Sequence, residues 1–369
     1  MIKRIKKLKK VKVKDLVPAN MAQKAASLNP LTDNPEQPVK LEDVPHITNE
    51  TIAVHREEVL KGARKYIYPL QHSKRRILVV TSALLTVTII GFLIYCTAAL
   101  YRYYQYNTFI YRVTQVVPFP IARAGNTYIA YENYLFELRH YVHYYQDQLS
   151  RNFSAPDDRQ QLINYRKQAL QDVVNAAYVK ILASQNHVGV SGREVDARIT
   201  QVRNQNRLGS NDKVFGDVLR DYWGWSISDF KRSLKQQILS EKVVAKLDTD
   251  VTNRANAALV QAKSGVDFAA LAKQLSEDEA SKNSAGDFGF AITKSNPNVA
   301  PQIIDAVFKL KPGQISGIVN TGAALEIVKV EQVDGDAVTA RHIVFRLKDI
   351  NTYIKPLQDK QPAHTFIKL

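Results

Sequence analysis

Leu325–Leu347 reads LEIVKVEQVDGDAVTARHIVFRL. Two β-rich runs, Leu325–Val333 and Ala337–Leu347, flank Asp334-Gly335, a dipeptide suited to a tight hairpin. Upstream, Val251–Lys263 has helical periodicity and ends at Gly265, and Asp267 is placed to cap a helix over Phe268–Leu275. A Gly/Ser-rich stretch over 276–290 follows, then a short helix over Pro301–Leu310 closed by Lys311-Pro312-Gly313. The order helix, strand, helix, hairpin predicts an α+β fold, with an antiparallel sheet flanked by helices.

The preceding residues are expected to form an all-helical domain, entered through a short strand and turn. Val113–Ala130, with Pro118, Pro120 and Gly125-Asn126, reads as a short strand and turn. Tyr131–Gln148 carries an apolar stripe through Tyr134, Leu138, Tyr141 and Tyr145. Ser154 reads as the cap of a helix with Pro156 in its first turn, running to His187. Ser191-Gly-Arg-Glu194 is a capping-box pattern, and Ser210–Arg220 and Ser228–Leu247 give two further helices. Tyr222, Trp223 and Trp225 form an aromatic knot, read either as inter-helix packing or as a peptide-stacking surface.

Before this block lies one long apolar run. Ile77–Leu100 has no charge, and as a helix it spans ~36 Å, enough for a ~30 Å hydrocarbon core. Lys74, Arg75 and Arg76 precede it, and Tyr95, Tyr101, Tyr103, Tyr104 and Tyr106 form an aromatic belt at the far end. The positive-inside rule places residues 1–76 in the cytoplasm and the rest outside, a single-pass protein of the cell membrane. Residues 1–76 carry 17 Lys+Arg against 8 Asp+Glu. Met1–Lys14 alone has eight basic residues and no acid, so it reads as a solvated tail or a segment lying on anionic lipid in preference to nucleic acid. Residues 15–50 read as linker, and the tail as largely disordered.

Composition narrows the function. Apolar residues are 45% and charged residues 23%, as in globular proteins. A mean hydropathy of −0.26 excludes a polytopic membrane protein. The one cysteine, Cys96, excludes an internal disulfide framework and any multi-cysteine metal site. No nucleophile elbow, Walker loop or HExxH motif occurs. Glu137, His140 and His143 share a helix face but read as surface residues, since a metal site needs three or four ligands. His46, His55 and His72 have no partner pattern. No metal or cofactor is expected.

Residues 251–347 resemble a parvulin-type peptidyl-prolyl isomerase through DFAALAKQLSED, AGDFGF, AVFKLKPGQISGIVNT, LEIVKV and ARHIVF. Residues 113–250, with VSGREVDARI and SDFKRSLKQQILSEKVV, resemble the chaperone domain of SurA/PrsA-type foldases. Residues 348–369 remain as a C-terminal extension, and HTFIKL at its end suits an edge strand. In parvulins the ARHI strand comes first; here it comes last. The resemblance therefore implies a circularly permuted unit, because the family's first and last strands lie side by side and a tight turn suffices to join them. A truncated second repeat starting at Ala340 is the alternative, and it has too few residues for a core of its own.

The resemblance implies isomerisation of X-Pro bonds in unfolded or exported polypeptides. That reaction breaks no bond; its ~18–20 kcal/mol barrier is the loss of amide planarity. An enzyme helps by gripping the proline in an apolar pocket and stabilising the twisted amide with polar groups. By resemblance the catalytic set is His342 and Asp278, with Glu326 where the family usually has a second histidine. Phe288, Val299 and Ile303 form the proline pocket, with Phe308 beneath and Thr321 among the substrate-binding positions. Val299 and Ile303 stand where the family has a methionine and a phenylalanine, and Ala285-Gly286 where it has a double glycine. Glu326 and His342 are expected opposite each other on the hairpin. The departures leave a second reading open, a non-catalytic holdase that only binds extended clients. A third is an envelope scaffold whose cytoplasmic tail binds a partner.

Overall fold

The computed structural model of the chain describes residues 47–67, 70–206 and 211–369. The basic segment Met1–Lys14, most of the 15–50 linker, His46 and Ser210 lie outside the described residues. The chain divides into two units, Met1–Thr86 and Val87–Leu369. In the first, α1 covers Asn49–Ile67, and α2 (Leu70–Tyr101) begins there. Arg75–Tyr101 of α2 is long and apolar enough to cross a membrane. Its side chains from Ile77 to Ile94 are largely exposed, whereas Cys96, Ala99 and Leu100 are buried. The last turn of α2 thus belongs to a folded core, and Tyr131 Oη donates to Leu100 O at 2.7 Å.

That core is the helical block. It comprises α3 (Thr108–Val116), the hairpin β1 (Pro120–Ala124) and β2 (Thr127–Ala130), α4 (Tyr131–His143) and α5 (Pro156–Gln185). It continues with α6 (Gly192–Gln205), α7 (Asp212–Trp223) and α8 (Ile227–Leu247). Residues 113–116 are helical, not strand. Asn107 caps α3 by accepting from Ile110 N–H, and the chain turns extended only at Val117, whose α conformation Pro118 disfavours. Ala155, not Ser154, is the N-cap of α5, with Pro156 at the first helical position. Ser191 and Ser226 both head capping boxes, with Glu194 and Asp229 reaching back to them.

The aromatic knot is packing. Trp225 stacks on Phe136 at 5.5 Å and Trp223 on Phe230 at 6.2 Å. His140 and His143 are not surface residues. Their rings are half-buried and reach the Trp223 and Asp221 carbonyls of α7. Each histidine is turned to its own partner, so the three groups on that face do not converge.

The chain leaves the block at Asp248 for the α+β unit and returns at Lys348, whose N–H donates to Asp248 Oδ2 at 3.0 Å. The unit comprises α9 (Thr249–Lys263), α10 (Phe268–Leu275), the single turn α11 (Glu279–Lys282), β3 (Ile292–Thr293) and α12 (Pro301–Val307). It ends with β4 (Val319–Asn320), β5 (Ala324–Asp334) and β6 (Ala337–Arg346). The four strands are antiparallel in the order β3-β6-β5-β4. Asp334 pairs with Ala337, so the loop is Gly335-Asp336, with Gly335 at φ 56°.

Alternation gives the sheet two apolar faces. Leu325, Ile327, Ile343 and Phe345 meet α9 and α10, while Val328, Val330, Val338 and Ala340 meet α12. Each large side chain so buried is worth ~1.5–3 kcal/mol.

The C-terminal residues return to the helical block. Here α13 (Asn351–Lys360) packs on α5, and β7 (Ala363–Thr365) pairs with β1, giving a second sheet in the order β2-β1-β7. The edge strand expected near His364 is therefore present, but it borders the helical block and not the sheet that bears His342.

Candidate functional site

Residues 276–278 are laid along β6 before the site begins. The fully buried Ser276 hydroxyl accepts from Val344 N–H (3.1 Å) and Asp278 N–H (3.4 Å), and Glu277 N–H donates to Val344 O (2.8 Å). Asp278 then caps α11. Its Oδ2 accepts from Ser281 N–H at 3.1 Å and from Ser281 Oγ at 2.5 Å. Ser281 Oγ is 2.9 Å from His342 Nε2, and Asp278 Oδ2 is 3.6 Å from the same nitrogen. On the other edge of the ring, Nδ1 lies 2.9 Å from Glu326 Oε2. An ionised carboxylate only accepts, so Nδ1 carries the hydrogen of that bond.

The result is a continuous chain, Asp278–Ser281–His342–Glu326, and the Phe288 ring lies 4.0 Å from the imidazole. Burial pushes the Asp278 carboxyl up. The Ser281 hydroxyl, the charge of His342 and the backbone N–H groups of Ser281 and Ala280 outweigh it, and hold that carboxyl below the usual range.

Register explains how Glu326 reaches the ring. It is paired with Val344, and His342 with Val328, so the two residues are diagonal and not opposite as expected. Positions two apart share a face of the sheet, and a glutamate is long enough to span the diagonal.

The AGD turn is joined to β6 at the histidine itself. His342 N–H donates to Gly286 O at 2.7 Å, and a Cβ on Gly286 would lie 2.2 Å from His342 O. Ala285 and Gly286 are both left-handed, at φ 59° and 75°. Gly286 is required by that close approach, while Ala285 bears the strain of a Cβ in the same conformation.

The apolar set is gathered but closed. Val299 and Ile303 are 4% and 1% exposed in the cluster between the sheet and α12, with Phe288 and Phe308 at its margin. Val299 and Ile303, expected to line the proline pocket, are short aliphatic side chains set in this core. Gln205 at the end of α6 holds the segment above them, its Nε2 donating to Asn296 O (3.0 Å) and Val299 O (2.9 Å). An open depression adjoins Phe288 and is lined by Ser284, Asp287, Phe290 and Thr339.

Thr321 does not join the site. Its hydroxyl donates to Ala324 O within its own turn, and it lines a separate groove with Gln237 and Glu241 of α8. Ser281 was not singled out by sequence reading. Its signal is its position three residues after the capping Asp278. Among the described residues no group of three or more His, Cys, Asp or Glu side chains is placed to hold a metal.

The fold is an α+β unit carried on a helical block. Residues 238–332 match the family model described as the PPIC-type PPIASE domain, and residues 71–244 that of the SurA-like N-terminal domain. Together the two matches run from residue 71 to residue 332, with the SurA-like segment preceding the rotamase segment. The matched rotamase segment stops short of β6, so His342 lies beyond it. Among curated proteins, chaperone SurA of Burkholderia orbicola (strain AU 1054) is 39% identical over 95 residues, covering 25% of this chain and 20% of that protein. Foldase protein PrsA of Clostridium tetani (strain Massachusetts / E88) is 25% identical over 227 residues, 52% of this chain and 64% of that one. Parvulin-like PPIase of Rickettsia bellii (strain RML369-C) is 26% identical over 192 residues, 49% and 61% respectively. The chain thus spans less than two thirds of the length of each of these relatives.

Proposed function

We propose that this chain is a membrane-anchored, extracytoplasmic foldase that accelerates cis/trans isomerisation of X-Pro bonds in exported polypeptides. The hydrogen-bonded chain Asp278–Ser281–His342–Glu326, set against Phe288, carries this reading. Rotation about an amide needs neither a nucleophile nor a cofactor. It needs a surface that holds the proline ring and polar groups that favour the twisted amide. Phe288 offers the apolar surface, and Ser281 and His342 the polar groups, held in place by the two carboxylates. Placing His342 last in the sequence is consistent with a permuted unit, because β5 and β6 are interior neighbours joined by a two-residue loop. Arg75–Tyr101 supports the anchor, and the basic residues before it support a cytoplasmic N-terminus, with Met1–Lys14 on anionic lipid.

A second reading is a holdase whose rotamase unit binds without catalysing. It is favoured by the burial of Val299 and Ile303 beneath Gln205. One experiment separates the two: exchange-rate NMR on an X-Pro peptide with the full chain in detergent, beside His342→Ala and Asp278→Ala. Catalysed exchange that falls in both variants supports the isomerase. Peptide binding without faster exchange in the wild type overturns it and leaves the holdase.

A further inference from the structure

A cavity of about 430 Å³ opens in the helical block between β2, α4, α5 and α8, and it shares no residue with the His342 site. Its walls include Ile129, Val173, Ala177 and Leu239. Thr127, Tyr128 and Ile129 belong to β2, the outer strand of its sheet, so a strand edge borders the space. An outer strand presents backbone N–H and C=O groups to any extended chain laid beside it.

The charge around the opening is lopsided. Arg232 is committed, donating to Glu132 at 2.6 and 2.9 Å and to Asn133 at 2.6 Å. Lys180 and Lys235 also line the cavity, and neither makes a hydrogen bond or ion pair among the described residues. Lys180 is affected by its neighbours: burial, then Arg232 and Lys235, lower its pKa. One acid, Glu137, lines the same wall, where Asp172 of α5 and Arg232 of α8 act on it, and Glu132, already paired with Arg232, acts on Lys180. Burial and Asp172 push the Glu137 carboxyl up to about 7, so at pH 6 it is mostly neutral and does not repel an incoming anion. The site therefore combines an apolar interior, a strand edge and two uncommitted cations.

We propose that this cavity binds the C-terminal end of an extended polypeptide, with its last apolar side chains inside, its main chain along β2 and its terminal carboxylate against Lys180 and Lys235. A chain end places its carboxylate directly after its last apolar side chain, so the strand edge, the apolar interior and the two lysines are met by consecutive groups. Such a site would let the helical block take hold of a client independently of its prolines.

The test uses the full chain in detergent at pH 6 and a fluorescent, proline-free octapeptide ending in two leucines, as the free acid and as the amide. Binding is read by anisotropy, with wild type beside a Lys180→Gln/Lys235→Gln double variant. The free acid is expected to bind about tenfold more tightly than the amide to wild type, the scale of charge-assisted hydrogen bonds to a carboxylate. That preference should vanish in the double variant, so that acid and amide bind it alike. Equal binding of acid and amide to wild type overturns the proposal, and so does a preference that survives in the double variant. Decanoate serves as the competitor for a small apolar carboxylate. Displacement of the peptide by decanoate at the peptide's own dissociation constant overturns the assignment to a polypeptide. None of these outcomes depends on X-Pro catalysis, so the isomerase reading stands or falls separately.

Discussion

Glu326 and His342 stand two residues out of register on neighbouring strands, yet their side chains meet at 2.9 Å. The glutamate fixes which edge of the imidazole faces Ser281, so it acts through the ring and not on the substrate. Glu326→Ala should therefore lower catalysed X-Pro exchange by about 100-fold, the scale on which a mis-set polar group acts, with little change in peptide affinity. Glu326→Gln, whose carbonyl can still accept from Nδ1–H, should keep most of the rate. Exchange-rate NMR over a peptide concentration series reads both.

Ala285 and Gly286 share the left-handed region for different reasons. Ala285→Gly should stabilise the α+β unit by about 1 kcal/mol, by relieving the strain of a Cβ at φ 59°. Gly286→Ala should destabilise it by more, since its Cβ would overlap the His342 carbonyl. Urea denaturation of the two variants gives opposite shifts in midpoint if this is right.

Arg198 of α6 and Glu241 of α8 form a buried pair at 2.9 Å, 12% and 10% exposed. Gln237 also donates to Glu241, and the side-chain amide of Gln302 of α12 faces Arg198, an arrangement that suits its oxygen there. Removing one member leaves a buried charge unmatched. Glu241→Ala should cost about 3–5 kcal/mol, and pairing it with Arg198→Met should recover a large part of the loss. A double-mutant cycle by chemical denaturation checks the coupling.

Acid should weaken the capping box of α6. A hydrogen bond from Lys242, then the Ser191 backbone N–H, lowers the Glu194 carboxyl to about 2. A folded value below the unfolded one stabilises above the unfolded value, and that contribution is lost as pH falls from about 5 to about 2. Because the Glu194 side chain is 41% exposed, solvent screening keeps the effect to at most about 1 kcal/mol. Thermal melts at pH 7 and pH 3 should converge for wild type and Glu194→Gln as the pH falls.

Gln205 ties α6 to the backbone over Val299. Gln205→Ala removes both bonds and should loosen residues 296–299, which raises peptide affinity and catalysed exchange if that lid limits access. A rate that falls in parallel with stability would show that the contact is structural only. Hydrogen exchange at Asn296 to Val299 separates the two outcomes.

Much of this was readable from residue patterns. The hairpin at Asp334, the caps at Asp267 and Ser191 and the long apolar helix follow from local rules, because turn and cap chemistry depends on a few adjacent residues. His342, Asp278 and Glu326 were each named, and the structure gathers them. Their linking hydroxyl was not named, since serine is common and Ser281 meets His342 across 61 positions of sequence. The diagonal register depends on where the hairpin turns and on a bulge between Val330 and Gln332. Thr321, Val299 and Ile303 are not gathered with His342, Asp278 and Glu326: Thr321 lies in a groove beside α8 and the other two in the core beneath Gln205 of α6, contacts between distant elements that no local pattern announces.

Strand β7 sets the order in which the molecule can be completed. β1 lacks its second neighbour until Ala363–Thr365 is available, and the α+β unit lies between them in sequence. The Asp248–Lys348 contact closes a loop of 100 residues, and a compact unit inside that loop lowers the entropy lost on closing it. The sheet β2-β1-β7 therefore joins strands from the two sides of the α+β unit, and its completion waits on residues made long after its first pair.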